Sequence, residues 1–156
     1  MRVSEALAVD AVLVRPRWAT FEEAVAGLVE QLVASGAVPN ESAALAVQLV
    51  HEREAMAGTA MVDVGVSIPH ARLDGITPGI VAAMAVSPTQ VYEVADGLPI
   101  SIVALVLSSP ALVGEHLTFL SSLSMLLQSA RTREQLRNAT SAEEVLRLVR
   151  NNEGRW

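Results

Sequence analysis

The spacing of apolar residues along this 156-residue chain changes three times, and each change marks a change of element. Val12-Leu13-Val14 is a short apolar run closed by Arg15-Pro16, which predicts a strand. Helical spacing follows. Thr20-Phe21-Glu22-Glu23 has the form of a capping box, and Phe21, Val25, Leu28 and Leu32 recur at helical period up to a stop at Gly36. A second helix is predicted from Asn40, as its cap, to Met56, with Leu45, Leu49 and Met56 along its inner side.

The period then shortens to two. Val64, Val66 and Ile68 alternate with Gly65 and Ser67, a strand pattern that Pro69 ends while holding Ile68 extended. Beyond a Thr77-Pro78-Gly79 turn, Ile80 to Val86 reads as a buried strand. Val91 to Val94 is predicted to pair with Leu98 to Leu107 through the Ala95-Asp96-Gly97 turn. Leu98 to Leu107 is nearly continuously apolar, which marks it as the most central strand. The last third is helical. His116 to Gln128 carries Leu117, Leu120, Leu123 and Leu127 on one stripe. Thr132 to Gln135 and Ser141 to Glu144 have the form of two further capping boxes, and the final helix is expected to bury Val145, Leu148 and Val149. Helices on either side of a central run of strands predict a three-layer α/β/α fold, a mixed β-sheet flanked by helices on both faces, in a single domain over residues 1–156.

Composition narrows the chemistry. The chain has no cysteine and no lysine, and all 11 basic residues are arginine. Disulfides, thiol nucleophiles, Cys-ligated metals, a phosphate-binding lysine and Schiff bases are therefore excluded. Five aromatic residues are too few for a base-stacking platform, and a net charge of −6 disfavours nucleic acid and anionic membrane. The longest apolar stretch, Leu98 to Leu107, is broken by Pro99 and Ser101 and is far short of the ~18 residues of a membrane span. Glu5 and Asp10 interrupt the N-terminal segment, unlike the core of a secretory signal. A soluble cytoplasmic protein is expected, without cofactor and without an obvious metal cage.

Three histidines remain as candidates for chemistry. His51 stands in a helix beside Glu52 and Arg53, where a solvated face is the simplest account. His70 follows a strand end and a proline, so its imidazole is presented from a stiff backbone at the place where α/β sheets bind ligands. His116 stands at a helix start, where free amides favour anions. Arg53 ends the second helix. Its guanidinium either clasps phosphate in two places or caps the helix dipole.

The run from Arg53-Glu54 through Thr59 to Gly65-Val66-Ser67-Ile68-Pro69-His70-Ala71-Arg72 resembles the phosphorylation site of enzyme IIA components of the phosphoenolpyruvate-dependent sugar phosphotransferase system. The similar class is the fructose–mannitol class, which includes nitrogen-regulatory enzymes IIA. Asp96-Gly97-Leu98-Pro99-Ile100 resembles that family's Asp-Gly turn, Gly114-Glu115-His116-Leu117 its second histidine, and Ser141 to Leu146 its last helix. The resemblance covers nearly the whole chain, in order. It implies a phosphocarrier without a metal, in which His70 takes a phosphoryl group from an HPr-like donor and passes it to an enzyme IIB, His116 is the second site histidine, and Arg53 stabilises phosphate. With no cysteine here, the IIB acceptor is expected on a separate chain, and contact with a membrane permease is peripheral at most. The family's glycines before the histidine are largely missing: Ala60-Met61-Val62-Asp63-Val64 stand there and only Gly65 is kept, while Ser67 replaces the usual alanine. Two further readings stand beside uptake. One is a regulatory enzyme IIA whose phosphorylation state controls binding to a transporter, kinase or transcription factor. The other is an α/β interaction module that has lost phosphotransfer.

Overall fold

The computed structural model describes residues 1–155 except Val62, Pro78, Val94, Ala95, Asp96 and Leu98. Its centre is a mixed sheet in the order β1-β5-β8-β3-β2, with β4 also on β8. The strands are β1 (Leu7–Val14), β2 (Ala60–Met61), β3 (Val66–Ser67), β4 (His70–Arg72), β5 (Ile80–Val86) and β8 (Ile102–Ser108). A separate small ladder joins β6 (Tyr92–Glu93) to β7 (Pro99–Ile100). β5 and β8 are antiparallel and buried at every position, as their unbroken apolar runs require. The helices are α1 (Val3–Ala6), α2 (Phe21–Ala34), α3 (Ala43–Met56), α4 (Val113–Gln128), α5 (Ala130–Arg137) and α6 (Ala142–Asn152).

Alternation along the strands divides the core in two. Ile102, Ala104 and Val106 of β8 pack with Phe119, Leu123 and Leu127 of α4 and with Val145 and Val149 of α6. Val103, Leu105 and Leu107 face the other way, onto Leu28 and Leu32 of α2 and Ala46 and Val50 of α3. The mixed sheet is thus covered by helices on both faces, as the sequence predicts. Among the described residues no helix is long and apolar enough to cross a membrane.

Several local expectations are corrected. The first strand begins at Leu7, with an irregularity between Leu7 and Val12. Thr20 caps α2 by accepting from the Glu23 amide, but Glu23 reaches back to Ala19 rather than to Thr20; Ser141 and Glu144 repeat this shift onto Thr140. Asn40 opens a 3-10 turn (Asn40–Ser42) ahead of α3 and makes no side-chain cap. Leu45 and Met56 are 48% and 82% exposed, so Ala46 and Val50 form the inner side of α3 instead. Leu117 is likewise exposed, and Phe119 and Leu126 join Leu123 and Leu127 inside. Ser129 caps α5, with Thr132 buried within it. Leu148 is only half-buried. The predicted Leu98 to Leu107 strand divides into β7 and β8. Tyr92 pairs with Ile100 as expected of a hairpin, while Ala95 and Asp96 of its turn, and Pro78 of the earlier turn, lie outside the described residues.

The largest correction concerns Pro69. It interrupts the strand without ending it. Val66 faces Ile102 on β8, and four residues further along both strands His70 faces Val106, so the register runs unbroken through the proline. The Pro69 carbonyl still accepts from the Val106 amide at 3.0 Å. Only the bond that its missing N–H would make is lost. His70 is therefore the first residue of β4 and not a residue beyond a strand end.

Candidate functional site

Side chains alternate across a strand. Ala71 points into the core beneath α3. His70 and Arg72 therefore project to the opposite face, beside Ser108, which is the cross-strand partner of Arg72. α4 lies over that face and brings His116 down onto it. The His70 and His116 rings are 5.7 Å apart, tilted by 53°. Leu49, Glu52, Arg53 and Met56 of α3 complete a cleft of about 290 Å³ with His70, Ala71, Arg72 and His116. The fold thus brings His70, His116 and Arg53 together. His51 lies elsewhere, half-buried and edge-on to Phe21 at 5.9 Å.

Each of the two cleft histidines has one ring nitrogen engaged by the protein. His70 Nδ1 lies 2.9 Å from the Ile68 carbonyl oxygen. A carbonyl only accepts, so Nδ1 carries the proton and Nε2 keeps a free lone pair. This contact exists because β2 pairs only as far as Ser67, leaving the outward Ile68 carbonyl without a strand partner. His116 Nδ1 lies 2.5 Å from Ser108 Oγ. His116 is buried, in the first turns of α4, which begins at Val113, and its own amide bonds to the Leu112 carbonyl.

The electrostatics keep both rings neutral. Burial pulls the His70 pKa below the ordinary 6.5; the Ile68 bond opposes this, Arg53 adds to it, Glu54 opposes, and Arg72 adds again. His116 is lowered to about 4, by burial first and then by the charges of Arg72, His70 and Arg53.

Three supporting residues are given no role by the sequence reading. Arg72 donates to the Leu112 carbonyl at 3.1 Å and so ties β4 to the start of α4. Its place two residues after His70 on a strand is the signal that marks it. Ser108 has no local signal, because only the β4–β8 register places it beside His116. Glu54 takes the Thr59 amide at 2.9 Å and the Thr59 hydroxyl, folding the chain back after α3. Arg53 does what a helix-end arginine does: one nitrogen donates to the Ala57 carbonyl at 3.1 Å. It also lines the cleft. At the start of the glycine-poor segment before His70, Ala60 pairs opposite Ser67 and Met61 opposite Val66, while Val62 lies outside the described residues. Gly65 is kept because φ is +72° and a Cβ would come within 3.3 Å of the Pro99 carbonyl oxygen. Among the described residues no group of three or more His, Asp or Glu gathers as metal ligands.

Known proteins share this fold. The sequence profile described as "Phosphoenolpyruvate-dependent sugar phosphotransferase system, EIIA 2" matches residues 5–152. A fructose-specific EIIA component of Haloferax volcanii is 33% identical over 127 residues, 81% of this chain and 80% of that protein. A nitrogen regulatory protein of Pseudomonas aeruginosa is 32% identical over 85 residues, 54% of this chain; the match spans about half, 55%, of that protein's length. In fold, the chain is similar to nitrogen regulatory protein IIA-Ntr from Neisseria meningitidis (TM-score 0.75, 24% identity, 94% and 98% of the two chains). It is also similar to a complex of enzyme IIA mannitol with phosphorylated enzyme IIB from Escherichia coli (TM-score 0.68, 23% identity, 92% and 96%). With a profile match over almost its whole length, the chain belongs to the EIIA 2 family of the phosphoenolpyruvate-dependent sugar phosphotransferase system.

Proposed function

We propose that this protein is a cytoplasmic histidine phosphocarrier, with His70 as the phosphoacceptor. The observation that carries the reading is the free Nε2 of His70, set in a cleft beside His116 by the bond from Nδ1 to the Ile68 carbonyl. A neutral imidazole with an unprotonated nitrogen is a competent nucleophile near pH 7. His70 Nε2 attacks the phosphorus of a phosphohistidine on an HPr-like donor. The donor's P–N bond breaks as the new one forms, and the donor imidazole leaves with its electron pair. Nδ1 keeps its proton, and the Ile68 carbonyl stabilises the positive charge that develops on the ring. Arg53 and Arg72 supply charge for the phosphoryl oxygens. The same exchange then delivers the group to a separate enzyme IIB. Exposed Met56, Val113 and Leu117 offer a docking partner apolar surface around the histidines.

The test is intact mass after incubation with phosphoenolpyruvate, enzyme I and HPr. One acid-labile phosphoryl group on wild type, absent from His70→Ala, is the expected result. Unchanged labelling of His70→Ala moves the acceptor elsewhere, and no labelling of folded wild type ends the reading in favour of an interaction module.

The likeness to a nitrogen regulatory protein favours a second reading, in which the phosphorylation state of His70 controls binding to a transporter, kinase or transcription factor. Onward transfer to an enzyme IIB selects uptake. Binding of one phosphorylation state to such a target, without onward transfer, selects regulation.

A further inference from the structure

The two histidines of the cleft are held from behind by groups of opposite polarity. Behind His70 stands a backbone carbonyl, which only accepts. Behind His116 stands a hydroxyl, which both donates and accepts. Ser108 is fully buried, and among the described residues its Oγ has a single hydrogen-bond partner, His116 Nδ1. Were Nδ1 the donor, the Ser108 hydroxyl proton would be buried with no acceptor. With the hydroxyl as donor, every polar atom of the pair is satisfied.

We propose that Ser108 is a positioning residue that fixes His116 with its proton on Nε2, making it a hydrogen-bond donor to a phosphoryl group on His70 and barring it from accepting that group itself. The two rings then differ in kind although they are 5.7 Å apart. His70 presents a lone pair to the cleft, and His116 presents an N–H. The remaining lone pair of His116, on Nδ1, is covered by the serine hydroxyl, so His116 has no free nucleophilic nitrogen. Its N–H is offered without a positive charge, because burial and the neighbouring Arg72 and Arg53 keep the ring neutral. A protonated His116 would repel the arginines and the charge that develops on His70; a neutral donor does not. Phosphoryl therefore stays on one histidine rather than sharing between two. The register of β4 and β8 places this serine beneath His116, level with Arg72, which holds the turn that starts α4.

The consequence for transfer rests on the phosphocarrier reading, but the test of the tautomer does not. Long-range ¹H–¹⁵N NMR of the unphosphorylated protein at pH 7 reads which nitrogen of each histidine is protonated. The expected spectrum has His70 protonated on Nδ1 and His116 on Nε2. In Ser108→Ala, His116 should lose that single tautomer, and in Ser108→Thr, which retains the hydroxyl, it should regain it. Phosphorylation of Ser108→Ala from phospho-HPr should slow by about tenfold, the worth of one hydrogen bond in the transition state. In His70→Ala/Ser108→Ala, a trace of label should appear on His116 that His70→Ala alone does not show. Wild-type His116 protonated on Nδ1, or a Ser108→Ala spectrum unchanged at His116, overturns the inference whatever the transfer assay gives. Absence of labelling with the expected tautomers present overturns the phosphocarrier reading instead.

Discussion

Acid should weaken this fold through His116 in particular. The group has a pKa of about 4 in the folded protein, against 6.5 when unperturbed, and it is 6% exposed. Below pH 6.5 the unfolded chain binds a proton that the folded chain refuses, so stability falls as pH falls. The contribution of the neutral ring is complete above pH 6.5, is lost progressively on the way down, and is exhausted near pH 4. The whole shift corresponds to about 3 kcal/mol, and the part lost between pH 7 and pH 5 to about 2 kcal/mol. Carboxylates also titrate in this range, so the measurement must be a difference. Urea denaturation at both pH values, for wild type and His116→Gln, isolates the histidine. Wild type should lose about 2 kcal/mol more than the variant, since His70 is present in both. Equal losses would mean that His116 is no more reluctant to charge in the folded state than in the unfolded, and the account of a ring kept neutral by burial and arginines would fall.

Other substitutions test other parts of the structure. Gly27 lies inside α2, where alanine ordinarily stabilises by about 1 kcal/mol, but a Cβ there would stand 2.4 Å from the Trp18 ring. Gly27→Ala should therefore lower stability by about 1 kcal/mol and shift Trp18 fluorescence; a stabilised variant would show that the indole moves aside freely. Gly79 has φ of +121°, and its Cβ would stand 2.6 Å from Leu112 Cδ1. Gly79→Ala should cost about 1–3 kcal/mol in thermal unfolding and slow His70 phosphorylation, because Leu112 carries the carbonyl that Arg72 holds. Glu54→Gln should cost about 1 kcal/mol and speed hydrogen exchange at the Thr59 amide, and unchanged exchange there would remove the clasp from the account.

The layers were legible because capping and periodicity are local. Thr20, Ser141 and the apolar runs of β5 and β8 could be assigned from neighbours in the chain. The helix faces were misread where apolar residues stay exposed. Leu45, Met56 and Leu117 satisfy a helical stripe, but they are exposed, and Met56 borders the histidine cleft. A periodicity argument presumes that apolar residues turn inward. The end of the strand at Pro69 was misread for a related reason. A proline forfeits one ladder bond, and the remaining bonds to β8 are enough to carry the register past it. His70, His116 and Arg53 were found through a family pattern, and the fold brings them together. Ser108 was invisible for a different reason: its role is a property of two strands side by side and of neither alone.

Beyond Ser67 the outer border of the sheet has no partner strand among the described residues. Such borders are where identical chains template onto one another and aggregate, a hazard for a sequence that is 51% hydrophobic. Here the border is blunted by the group that prepares His70. The Ile68 carbonyl, which faces this border, is already occupied by the imidazole. An incoming strand would find a gap in the pattern of donors and acceptors just where it would need to begin. The bond that leaves Nε2 free thus also makes the sheet a poor seed for its own copies.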